Sequence, residues 1–140
     1  MKKMIKRLRC QKGVAAIEFA IVLPLLMIIV FGIIEFGLLF YDKQVITNAS
    51  REGARIGISD VVVSDADIEA VVDNYVANNL ITFGSAPTSP VTTIGRTGMD
   101  FGDDLTVTVT YDYDFLILPS FVTSLIGVQT LATKTVMKMQ

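Results

Sequence analysis

Histidine and tryptophan are absent from this 140-residue chain, and Cys10 is its one cysteine. The lack of histidine removes the side chain best suited to proton transfer near neutral pH. A lone cysteine rules out an intramolecular disulfide and any cysteine-rich metal cluster. No glycine-rich phosphate loop occurs, and Asp100-Phe101-Gly102 stands without any other kinase element. The chain is therefore not read as an enzyme, and no catalytic residue, metal or cofactor is expected. Asp100, Asp103 and Asp104 lie close together but without a regular ligand spacing, so they read as a solvated turn rather than a calcium loop. The last thing missing is charge: residues 19–34 contain no Asp, Glu, Lys or Arg.

What is present is strongly segregated. Half of the chain is apolar (51%), more than a soluble domain of this length usually carries. Of the 12 basic residues, Lys2, Lys3, Lys6, Arg7, Arg9 and Lys12 precede Gly13, whereas all 14 acidic residues follow it. A net charge of -2 thus conceals a cationic tail and an anionic body, and no nucleic-acid partner is expected. Cys10 sits within that tail and reads as incidental.

Residues 14–41 form an almost unbroken apolar run. As a helix rising ~1.5 Å per residue, it spans roughly 40 Å, ample for a hydrocarbon core of ~30 Å. Basic residues before the run and Asp42 after it place the N-terminus inside. Tyr41 suits the outer headgroup belt. The run is longer than a secretory signal core, carries Glu18 and Glu35, and is not followed by a small-x-small cleavage site, so it reads as a retained anchor. Pro24 predicts a modest kink, and Ala16, Ala20, Gly32 and Gly37 give flat spots for a neighbouring helix.

Two carboxylates in that run need an account, since charge at membrane depth costs at least a few kcal/mol. Glu18 either meets a partner in the membrane or snorkels to the inner headgroups, which lie four residues away. Glu35 is about 9 Å of helix rise from Tyr41, so it either pairs in a neighbouring protein or reaches the outer interface. Its sequence context shows no partner.

Gly13 followed by Val14-Ala15-Ala16-Ile17 and then Glu18-Phe19 resembles the prepilin-peptidase motif of type IV pilins and their Flp/Tad branch. With Pro24, Phe31-Gly32-Ile33-Ile34-Glu35-Phe36-Gly37 and Asn48-Ala49-Ser50-Arg51-Glu52-Gly53-Ala54-Arg55 following in order, residues 13–57 resemble the TadE-like family. The resemblance implies a minor pseudopilin or assembly component of the tight-adherence (Flp pilus) secretion and adhesion apparatus. It further implies cleavage between Gly13 and Val14 by a membrane prepilin peptidase, a cut that a glycine's open backbone suits. The partners implied are that peptidase, other pilin or pseudopilin subunits, the inner-membrane assembly platform and the lipid bilayer. On this view Glu18, with Phe19 beside it, pairs with the new Val14 amine of an adjacent subunit, which neutralises the acid and sets the stagger between helices. Glu35 is implied to meet a neighbouring subunit or the platform. Arg51, Glu52, Gly53 and Arg55 form a possible docking string, against which stands a solvated charged face with Gly53 packing on the domain. The competing reading of the whole chain is an unprocessed, single-pass anchored periplasmic binding or scaffold domain.

Beyond the anchor, Val45, Ile46, Ala49, Gly53 and Ile56 continue a helical stripe, and Gly57 is a plausible stop. Ser64-Asp65-Ala66-Asp67 caps a second helix whose stripe is Ile68, Val71, Val72, Tyr75, Val76 and Leu80. Residues 84–90 predict a loop and residues 91–94 a short strand. Residues 105–115 alternate apolar and polar side chains, predicting the main strand. A helical turn is expected over 120–126 and a last strand over 129–137. The fold expected is α+β, a long N-terminal transmembrane helix continuing into a small pilin-like domain with a second helix and a small antiparallel sheet. The organisation is a basic cytoplasmic leader (1–13), a transmembrane helix (14–41) and a small exported domain (42–140). This places the chain in the inner, cytoplasmic membrane, with its C-terminal domain periplasmic or extracellular and a place in a pilus open to it.

Overall fold

A computed structural model describes residues 11–59, 63–82 and 89–139. Most of the basic leader, including Cys10, lies outside the described residues, as do positions 84–88 of the expected loop. The first helix, α1 (Gln11–Gly57), is 47 residues long and continuous through Pro24. At ~1.5 Å per residue it is about 70 Å from end to end. No residue from 13 to 34 is buried, and Val14, Ile17, Ile21 and Leu25 are each more than half exposed. This single apolar helix is long enough to cross a membrane.

At Glu35 the environment changes. From there one stripe of α1 is buried, comprising Glu35, Asp42, Val45, Ile46, Ala49, Ser50, Gly53, Ala54 and Gly57. Those steps of three, four and seven residues keep one helical face against the domain. The domain therefore begins to pack on α1 before residue 42, where the sequence placed its start.

The second helix, α2 (Asp65–Asn79), starts with the predicted cap. The Ser64 hydroxyl accepts from the Asp67 N–H, and the Asp67 carboxylate accepts from the Ser64 N–H. Ile68, Val72 and Val76 are its buried residues. Three strands, β1 (Val91–Arg96), β2 (Asp104–Tyr113) and β3 (Gln129–Lys138), form an antiparallel sheet in the order β1-β2-β3. A short third helix, α3 (Ser120–Ile126), connects β2 to β3. The fold is α+β.

Alternation builds the sheet's two faces. Leu105, Val107, Val109, Tyr111 and Tyr113 point inward onto α1 and α2, and Thr106, Thr108 and Thr110 point outward. Gly53 and Gly57 let the two helices approach. A Cβ on Gly53 would lie 2.8 Å from Val72 Cγ2, and one on Gly57 would lie 2.7 Å from Ile68 Cδ1. Polar ties join α1 to β3: the Ser50 and Thr135 hydroxyls are 2.6 Å apart, and the Lys43 ammonium donates to the Ala132 carbonyl.

β2 starts and β3 ends one residue beyond expectation, and two strand limits differ by more. β1 extends through Arg96, whose guanidinium bonds the Asp65 carboxylate at 2.9 Å and the Val63 carbonyl at 3.2 Å. β2 stops at Tyr113 although the alternation runs on to Phe115. The backbone there leaves the ladder because its N–H groups turn to a different acceptor, on α1.

Candidate functional site

That acceptor is Glu35. Tyr113 donates its hydroxyl to Oε1 at 2.8 Å, and the Leu116 N–H donates to the same oxygen at 2.8 Å. The Ile117 and Leu118 N–H groups donate to Oε2 at 2.8 and 3.3 Å. Four donors thus meet two carboxylate oxygens in a site that leaves Glu35 only 1% exposed. Burial, and then the adjacent carboxylate, push the Tyr113 hydroxyl far above the usual phenol range, so it remains a donor. Phe115 packs edge-on against the Tyr113 ring, with centroids 5.7 Å apart. The result is a latch fastening residues 113–118 to the helix at the point where its burial against the domain begins.

Where the sequence shows no partner for the Glu35 carboxylate, four donors 78 to 83 residues away in the same chain meet it. The clue available in the sequence was the end of β2, where an inward-facing tyrosine and a run of backbone N–H groups before Pro119 needed an acceptor.

Glu18 is the opposite case. It lies on the exposed part of α1 and makes no hydrogen bond or ion pair with any other described residue. Val14 is 53% and Phe19 62% exposed, and Gly13 is exposed, with nothing near the position of a Cβ. Gly13, Val14, Glu18 and Phe19 therefore form an open surface at the start of the helix.

The Arg51–Arg55 string divides between inside and outside. Gly53 and Ala54 are buried against α2, while Arg51 and Arg55 face outward. Arg55 meets Glu52 through two contacts of 3.0 and 2.5 Å and holds its carboxyl below the usual range. Such an exposed (i, i+3) pair contributes little to stability.

Asp42, which closed the apolar run in the sequence, is fully buried on the domain-facing stripe. Its Oδ1 receives only a long 3.4 Å bond from the Ile81 N–H, and Oδ2 has no partner among the described residues. Burial pushes its carboxyl up to about 6. Sequence reasoning missed this residue because Asp42 reads as a polar end to the anchor. Of the acidic cluster, Asp103 accepts from the Asp100 N–H at 2.9 Å in a turn through Gly102 (φ +92°), and Asp104 pairs with Lys138 at 3.1 Å.

Comparison with known proteins bears on the N-terminal part. Residues 13–55 match the family model described as TadE-like protein. No curated protein and no solved structure matches the chain. The match takes in Gly13, both carboxylates of the apolar run and the string ending at Arg55, and over these residues the chain is similar to the TadE-like family.

Proposed function

We propose that the chain is a minor pseudopilin or assembly component of a Flp/Tad-type pilus and secretion system. It is held in the cytoplasmic membrane by the apolar part of α1, with the N-terminus inside and the small domain outside. A prepilin peptidase cuts after Gly13 and leaves Val14 with a free amine. In the assembly, the Glu18 carboxylate of one subunit takes the Val14 ammonium of the next, while the outer charges of Arg51, Glu52 and Arg55 face other components.

The observation that carries this reading is the contrast within one helix. Glu35 is saturated by its own chain, whereas Glu18, in the more apolar setting, has no partner among the described residues. An acid at membrane depth without a partner is a cost that a neighbouring cation relieves. The TadE-like match over residues 13–55 supports the same assignment.

The test is intact mass and N-terminal sequencing of protein from membranes with and without the peptidase. A start at Val14 that depends on the peptidase is expected. Recovery of the chain with Met1 to Gly13 still attached, in the presence of an active peptidase, would sink the proposal and favour the unprocessed anchored domain.

A further inference from the structure

The segment joining β2 to β3 has no role in the latch beyond residues 116–118, yet its composition is distinctive. Between Asp114 and Lys134 there is no charged residue. Phe121 is 59% exposed, Leu125 85% and Val128 69%, which places large apolar side chains on the surface of the stretch 119–128, whose other residues are Pro119, Val122, Ile126 and Ser, Thr and Gly. Single exposed apolar residues need no explanation, but several on one uncharged segment do.

Position supplies the explanation. Residues 14–34 are the part of α1 with no buried residue, about 31 Å at ~1.5 Å per residue, and exposed Phe36, Phe40 and Tyr41 carry the apolar surface further on the face away from the domain. The Glu35 latch holds residues 116–118 at the outer limit of that length. α3 follows directly, and Leu118 and Ile126 close a small apolar cavity of about 80 Å³ against Phe36 and Leu39 of α1. The segment is thus fastened beside the helix at the level where hydrocarbon gives way to headgroups. The sheet extends the other way, since Leu105 at the far end of β2 meets Gly57.

Resting on the membrane reading of α1 given above, we propose that residues 119–128 enter the outer leaflet of the bilayer that α1 crosses. Phe121, Leu125 and Val128 lead, and the chain gains a second, non-spanning membrane contact. Hydroxyl-bearing Ser120, Thr123 and Ser124 suit the headgroup zone, and the absence of charge removes the main penalty for insertion. The occupant is lipid rather than a second protein because Leu118 and Ile126 seat the segment against Phe36 and Leu39, directly beyond the part of α1 that crosses the bilayer.

The test uses the full chain with Cys10→Ser, carrying one cysteine at a time through Leu125→Cys, Ile21→Cys or Val136→Cys. Each variant is labelled with an environment-sensitive fluorophore. The proteins are reconstituted in phosphatidylcholine and phosphatidylglycerol vesicles and challenged with aqueous iodide or with lipids bearing a nitroxide high on the acyl chain. Expected is loss of emission at position 125 to the nitroxide but not to iodide, and the reverse at position 136 near the far end of β3. Iodide access at 125 equal to that at 136, with position 21 still shielded by lipid, overturns the proposal and leaves the membrane span standing. Shielding of position 125 from both quenchers also overturns it, because protein then covers the patch. Iodide access at position 21 removes the span itself, and this proposal with it.

Discussion

Glu18 and Glu35, the two carboxylates within the apolar run of α1, lie seventeen residues apart in one continuous helix and are treated in opposite ways. Glu35 is enclosed by a hydroxyl and three backbone amides of its own domain. Glu18 is exposed and makes no bond with any other described side chain. The same residue type in the same apolar run serves as an internal fastener in one place and, on the proposed function, as an external connector in the other. An apolar neighbourhood alone therefore does not identify an assembly residue; what separates the two is whether the chain brings its own donors.

The contrast is sharpest when Glu35 is removed. Glu35→Ala leaves a buried hydroxyl and three N–H groups without an acceptor, and should destabilise the domain by about 3–5 kcal/mol. Unfolding of the detergent-solubilised chain followed by circular dichroism measures this, and a loss under about 1 kcal/mol would show that the latch is dispensable. Next in size is the helix contact above it. Gly53→Val drives a branched side chain into Val72 and Ile68 and should cost about 2–3 kcal/mol in the same assay, because neither neighbour has room to yield.

Asp42 extends the comparison to a third acid, one that is buried and poorly satisfied. Its folded value of about 6 lies above the ordinary 3.8, so the folded state binds the proton more tightly than the unfolded chain. Its contribution to stability therefore falls as pH rises from about 4 through about 6 and is least favourable above that range. Asp42→Asn should raise stability at neutral pH by on the order of 1–2 kcal/mol and flatten the dependence over this window. An unchanged slope in melting temperature against pH would assign the titration elsewhere. A smaller effect is expected from Tyr113→Phe, which removes one of four donors to Glu35 and should cost about 1 kcal/mol. The smallest is Glu18→Gln, with less than about 0.5 kcal/mol on domain stability. Its consequence lies in assembly instead: the variant inserts and folds but is not recovered with its neighbouring subunits on co-purification from crosslinked membranes. Normal recovery would remove the connector role.

Local chemistry made most of the fold legible. The Ser64–Asp67 cap, the stripe of α2 and the limits of α3 all follow from residues within one or two turns of each other. The alternation Leu105, Val107, Val109 and Tyr111 likewise marks β2 and its inner face. What could not be read was the partner of Glu35. Its donors are 78 to 83 residues distant, and no local period records a contact closed only when the sheet folds back on the helix. The same contact explains the misplaced end of β2: the pattern Tyr113, Asp114, Phe115 keeps its alternation, while the backbone N–H groups just beyond have been drawn off to the helix. Around Glu18 no described residue folds onto the helix, so no distant contact of that kind enters there. Arg51 and Arg55 face outward and Gly53 packs inward, an arrangement open to both the docking and the solvated-face readings of that string.

The latch also has a mechanical consequence. The domain grips α1 near both of its own ends, at Glu35 through hydrogen bonds and at Gly57 through close contact with Leu105 and Ile68. Tension applied to the domain along the helix axis would load four bonds together in shear rather than peel them one at a time. A subunit extracted from the bilayer by such a pull would move as a rigid rod, with its head and its anchor travelling in step.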